Sequence, residues 1–180
     1  MYEYKTKPFE HQREALIQGA HRKGFAYLME MGTGKTKVTI DNAAYLYLEN
    51  KISLMVVVAP NSVYQNWKDE ISLHCPCDTN IFTYKIDKKF LYDESKLNVV
   101  LMNVEAFSHK SGVKYLEEIL KVCGADVMMV VDESTTIKNR TAQRTKSLIK
   151  LGKMTEYRRI LTGSPITKSP LDLFAQFEFL

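Results

Sequence analysis

The stretch Phe25-Ala26-Tyr27-Leu28-Met29-Glu30-Met31-Gly32-Thr33-Gly34-Lys35-Thr36 passes from an apolar run through a glycine-containing turn into a helical pattern. Phe25 to Met29 reads as a short strand. Beyond the turn, Ile40, Ala43, Ala44 and Tyr47 recur at the spacing of one buried helix face. Strand, turn and helix in that order gather backbone N–H groups at a helix N-terminus, where the dipole favours negative charge. Glycine suits the turn because a side chain would block close approach of an anion.

Gly34-Lys35-Thr36, with Gly32 just before, has the chemistry of a Walker A phosphate loop. Met31, Gly32, Thr33, Gly34, Lys35 and Thr36 are therefore the expected nucleotide-binding residues. Lys35 would reach the β- and γ-phosphates, and the Thr36 hydroxyl would coordinate Mg²⁺. The strict motif asks for glycine at position 29, where this chain has Met29. The competing reading is an ordinary glycine turn before a helix.

Working outward, five further strands are expected over Leu54 to Ala59, Asn80 to Tyr84, Val99 to Asn103, Val127 to Asp132 and Arg159 to Thr162. Met55-Val56-Val57-Val58 and Val127-Met128-Met129-Val130-Val131 lack polar alternation, as befits strands covered on both faces of a mainly parallel sheet. Helices fall between them. One is expected over His11 to Lys23, stopped by Gly24. A second opens at Ser62-Val63-Tyr64-Gln65 with capping-box spacing and buries Val63, Trp67 and Ile71. A third turns Val113, Leu116, Leu120 and Cys123 inward, and a last one starts at Ser169-Pro170. The alternation predicts an α/β fold with helices on both faces of the sheet and ligands at the carboxyl ends of the strands.

That rule draws attention to Val130-Val131-Asp132-Glu133. A strand ending in a turn would explain Asp132 and Glu133 by themselves. Beside a phosphate loop they gain a second reading: Asp132 as the Mg²⁺-holding acid and Glu133 as the base that orients and deprotonates the attacking water. Lys35, Asp132 and Glu133 are then the expected catalytic set, with Thr36 and Asp132 on the metal.

Composition is compatible with this. The chain has 180 residues, 45% of them hydrophobic, enough for one core, and no internal repeat or linker is visible, so residues 1–180 read as one domain. The net charge of +4 permits a polyanionic partner without demanding one. From Lys138 to Arg159 eight basic residues face a single acid, Glu156. Lys146, Lys150 and Lys153 share a helix face there, read as a solvated surface in preference to a second nucleic-acid contact. Three cysteines without an apolar leader fit a reducing, cytoplasmic setting. His74-Cys75-Pro76-Cys77 lacks the second pair that a structural zinc site needs, and no apolar stretch approaches the ~20 residues of a membrane span.

Taken in order, Gln12, Gly32 to Thr36, Asp132-Glu133 and Thr162-Gly163-Ser164-Pro165 resemble the first RecA-like domain of a superfamily 2 helicase or translocase. Asn66-Trp67, Ile137-Lys138-Asn139 and the run from Ile160 to Pro165 are most similar to its Swi/Snf branch. The resemblance implies a P-loop RecA-like fold and an ATPase using ATP and Mg²⁺. It implies that Gln12 reads the adenine edge, which a side-chain amide can do by donating and accepting; a solvent-facing helix residue is the alternative. Pro60, Asn61 and Ser62, and with them Asn103, would contact a nucleic-acid backbone, duplex DNA in this branch. Thr162, Gly163 and Ser164 would couple that track to the ATP site. A second RecA-like domain, which in the family supplies arginine fingers, would be a necessary partner. The chain departs from the branch at Ser134-Thr135, where Ala-His commonly follows the acids. Two other functions compete: a nucleotide-binding switch without motor activity, and an RNA helicase lobe.

Overall fold

In the computed structural model, which describes residues 2–87, 89–166 and 169–180, strands and helices alternate. The order is α1 (Glu10–Gly19), β1 (Gly24–Leu28), α2 (Lys35–Leu48), β2 (Leu54–Val58), α3 (Tyr64–His74), β3 (Thr79–Thr83), β4 (Leu97–Met102), α4 (Lys110–Cys123), β5 (Val127–Asp132), α5 (Gln143–Gly152), β6 (Tyr157–Thr162) and α6 (Asp172–Phe179). Short 3₁₀ turns at Asn61–Val63, Val104–Ser108 and Ser134–Ile137 follow β2, β4 and β5. The six strands form one sheet in the order β1-β6-β5-β2-β4-β3, and every pairing is parallel.

Alternation along each strand splits the core in two. Met55, Val57, Val99, Leu101, Met128 and Val130 pack under α1, α2 and α3. Their neighbours Leu54, Val56, Val58, Val100, Val127, Met129 and Val131 pack with α4, α5 and α6. Both faces being covered, the central strands are apolar throughout, which is why they read as unbroken hydrophobic runs. Such a sheet leaves only its carboxyl edge for chemistry, and the loops after β1, β2, β4, β5 and β6 meet there. Among the described residues no helix is long and apolar enough to cross a membrane.

All six expected strands are present, but three helix ends differ from expectation. α1 stops at Gly19 instead of Lys23, because tertiary donors take its last carbonyls: Arg159 Nη2 donates to Gly19 O at 3.0 Å and Asn42 Nδ2 to Ala20 O at 3.3 Å. Gly24 accordingly opens β1, where a Cβ would run into the Leu180 carbonyl. Ser62 does not cap α3. The chain first winds through a 3₁₀ turn closed by Val63 N–H to Pro60 O, and the helix begins at Tyr64, burying Tyr64, Trp67 and Ile71. Ser169-Pro170 likewise opens a 3₁₀-type turn, with Asp172 N–H donating to Ser169 O, so α6 proper starts at Asp172.

Candidate functional site

The loop between β1 and α2 is shaped by two left-handed glycines, Gly32 at φ 76° and Gly34 at φ 84°. Gly34 is the N-cap of α2, its carbonyl accepting from Val38 N–H at 3.1 Å, so Lys35 and Thr36 occupy the first helical turn. Thr33 Oγ1 donates to Glu30 O at 2.7 Å and tightens the loop. Lys35 Nζ folds back to donate to Met29 O and Glu30 O, each at 3.0 Å. These carbonyls hold the ammonium in the mouth of the loop. Met31 is largely exposed at its tip.

Gln12 is buried and reaches this loop from α1. Its Nε2 donates to Thr33 O at 3.0 Å, while Oε1 accepts from Phe9 N–H at 3.0 Å. His11 Nε2 lies 3.0 Å from the same Thr33 carbonyl. A Cβ at position 34 would collide with Gln12 Nε2. The glycine thus serves a close approach as well as its backbone angle. Gln12 is no solvent-facing helix residue: it fastens α1 to the loop after β1 and, among the described residues, has one N–H and one lone pair without a partner.

Asp132 ends β5 beside β6, in register with Leu161. Its Oδ2 accepts from Trp67 Nε1 at 3.0 Å and its Oδ1 from Glu133 N–H at 2.9 Å. Burial pushes the carboxyl above its usual range; the Trp67 and Glu133 hydrogen bonds and the Lys35 charge pull the other way. Glu133 adopts the left-handed conformation, φ 51° and ψ 60°, which costs a non-glycine residue about 1 kcal/mol. Among the described residues its carboxylate makes no hydrogen bond or ion pair. The left-handed backbone at Glu133 thus sets its carboxylate beside the half-buried Asp132.

The loop after β6 closes the site. Thr162 is buried, and its Oγ1 accepts from Ser164 N–H at 3.1 Å. Gly163 packs on the phosphate loop so tightly that a Cβ would lie 3.3 Å from Met29 O and from Met31 N. Ser134, buried behind the acids, donates to Gln176 Oε1 at 2.6 Å, and Gln176 Nε2 donates to Pro165 O at 2.8 Å. A neutral relay therefore joins the Asp132-Glu133 turn to the loop after β6. Sequence reasoning missed Gln176, since nothing local in α6 marks it. It placed Trp67 in the core, correctly, without reading the donor on its indole.

The remaining expected residues lie at the same edge. Pro60, Asn61 and Ser62 follow β2, with Asn61 and Ser62 exposed. Asn103 follows β4, but its side-chain oxygen accepts from Ala106 N–H at 2.7 Å and so shapes the turn. On α5, Lys150 pairs with Glu117 at 3.5 Å.

Comparison with known proteins places this geometry in a family. The family model described as the SNF2-related domain matches residues 21–180. A probable ATP-dependent DNA helicase, CHR12, of Arabidopsis thaliana is 32% identical over 160 residues, 84% of this chain and 14% of its own length. A SWI/SNF-related regulator of chromatin from Xenopus tropicalis, subfamily A containing DEAD/H box 1, is 30% identical over 89% of this chain and 16% of its own. The chain thus spans about a seventh of these relatives. Among solved structures, the Sulfolobus solfataricus SWI2/SNF2 ATPase core in complex with dsDNA superposes with a TM-score of 0.81 at 26% identity, covering 99% of this chain and 36% of that one. With its parallel sheet, its phosphate loop and the acids at the end of β5, the chain belongs to the SNF2-related family of helicase-type ATPase domains.

Proposed function

We propose that residues 1–180 form the N-terminal RecA-like lobe of an ATP-dependent DNA translocase or helicase, hydrolysing ATP with Mg²⁺ when a second RecA-like domain completes the site. The observation that carries this reading is the meeting, at one sheet edge, of the Gly32–Thr36 loop, the Asp132-Glu133 pair and the Gly163 loop packed on the first. Lys35 leaves the Met29 and Glu30 carbonyls to contact phosphate, and Gln12 offers its spare donor and acceptor to adenine. The oxygen set of Thr36 and Asp132 fits Mg²⁺, which takes one or two carboxylates together with phosphate oxygens and water. Among the described residues each Asp132 oxygen accepts one hydrogen bond, which leaves a lone pair for the metal. When bound, the metal neutralises charge on the β- and γ-phosphates. Glu133 takes the proton of the attacking water.

Pro60, Asn61, Ser62 and the Thr162–Ser164 loop would run along a duplex backbone, and the dsDNA complex of the Sulfolobus relative supports that choice of partner. Asn103 would contribute through its turn, since its side-chain oxygen is engaged. Exchange of Glu133 tests the reading. In a chain that includes the second RecA-like domain, Glu133→Gln is expected to leave Mg·ATP binding within about twofold and to slow single-turnover hydrolysis by at least ~100-fold. Hydrolysis equal to the unaltered chain would instead favour a nucleotide-held switch.

A further inference from the structure

Trp67 is the only tryptophan of the chain, fully buried, and its indole N–H is spent on a carboxylate. An indole can donate but not accept, and a buried one takes whatever acceptor the fold offers. Here the acceptor is Asp132 Oδ2, 65 residues away in sequence, at 3.0 Å. Glu133 N–H holds the other oxygen at 2.9 Å, so two fixed donors define the plane of the carboxylate. The body of the indole is fully buried in the core cluster that also holds Met55, Val57, Leu101 and Val130, and such close-packed surroundings restrict a ring. Trp67 also lies in the first turn of α3, immediately after the exposed Asn61-Ser62 turn.

We propose that Trp67 is a positioning residue that aims the Asp132 carboxylate at Mg²⁺ and makes α3 a stiff link from the Pro60-Asn61-Ser62 loop to the metal-holding acid. This rests on the ATPase reading of the site. A rigid planar donor transmits a small displacement of the α3 N-terminus directly to the carboxylate, whereas a long flexible donor would absorb it. Groups that hold a metal ligand by its outer hydrogen bonds typically set metal affinity by a factor of 10–100.

Because there is one tryptophan, a ¹⁵N-labelled chain gives one indole resonance, read here with Mg²⁺, ADP and a duplex oligonucleotide as probes. Adding Mg·ADP is expected to move the indole signal together with the Gly32 and Gly34 amides, and adding the duplex to move it together with the Asn61 and Ser62 amides. Glycine amides that move while the indole stays still overturn the metal-positioning role. Asn61 and Ser62 amides that move without it overturn the link along α3. If the glycine amides themselves ignore Mg·ADP, the ATPase reading fails and takes this inference with it. Trp67→Phe keeps an aromatic core residue without the donor; it is expected to raise the Mg²⁺ needed for half-maximal ADP binding roughly tenfold and to leave Mg²⁺-free ADP binding unchanged. An unchanged Mg²⁺ requirement in a folded variant overturns the proposal, and the indole resonance of the unaltered chain decides the matter if the variant does not fold.

Discussion

Ser134 shows how much one hydroxyl carries at this site. Its side chain is fully buried, its proton goes to Gln176 Oε1, and Gln176 passes the connection to Pro165 O and Asp172 O. Removing one partner strands the other in a place water does not reach. Ser134→Ala is therefore expected to lower unfolding free energy by about 1–2 kcal/mol, and Gln176→Leu by a similar amount. The two losses should not add, because both variants break the same bond; urea denaturation of the singles and the double should give a coupling of at least ~0.5 kcal/mol. Strict additivity would dissolve the relay. Part of this was legible in sequence: Ser134-Thr135 stands out as a departure after the two acids, and a hydroxyl can bond across a site. Its partner was not, because Gln176 meets Ser134 only when α6 lies across the end of β5, and no local pattern encodes that approach. Gln12 behaves in the same way. The family resemblance implied an adenine-reading role for it, but its bond to Thr33 O depends on where α1 crosses the loop after β1.

At the scale of elements, strands were read more surely than helix ends. A strand buried on both faces announces itself by composition, as Val127 to Val131 does, and β5 matches its expected limits of Val127 and Asp132. Helix ends are settled by whichever donors reach the last carbonyls. For α1 the decisive donor is Arg159, on the far side of the chain. Its guanidinium is fully buried with Nε on Asn42 Oδ1 at 2.8 Å, Nη1 on Lys23 O at 3.2 Å and Nη2 on Gly19 O at 3.0 Å. Burial lowers its pKa, and the negative end of the α1 dipole helps to hold the charge in place of a carboxylate. The same side chain thus ties α1, α2 and the start of β1 to β6. Arg159→Met preserves much of the volume and removes every donor. It is expected to cost about 3 kcal/mol in urea unfolding, since several buried acceptors lose their partner together. A loss below ~1 kcal/mol would mean that water replaces the guanidinium.

For the whole molecule, the question is whether one sheet with its loops holds everything that phosphoryl transfer needs. The carboxyl edge supplies the proposed phosphate loop with its lysine, the Thr36 and Asp132 oxygens proposed to hold Mg²⁺, and a candidate base. Transition-state charge on the γ-phosphate also calls for an arginine, worth a factor of about 10³–10⁵ in related chemistry. The chain contains six arginines, and each is committed elsewhere. Arg13 pairs with Glu10, Arg140 with Glu178 and Arg144 with Glu105. Arg22 donates to Gln18 O, Arg158 to Leu180 O, and Arg159 is buried under α1. None is spare at the phosphate loop, so the 180 residues assayed alone are expected to bind Mg·ATP yet turn it over slowly, with little response to duplex DNA. Supplying a second RecA-like domain in the same chain should raise turnover by orders of magnitude, and replacing that domain's arginines should abolish the gain while leaving nucleotide affinity in place. Steady-state phosphate release with and without duplex DNA reads this directly. Brisk, DNA-stimulated hydrolysis by residues 1–180 alone would require one of the six arginines to abandon its present partners. Arg13 is the first to test by substitution, since it sits next to Gln12 on the helix fastened to the loop after β1 and its ion pair with Glu10 is exposed.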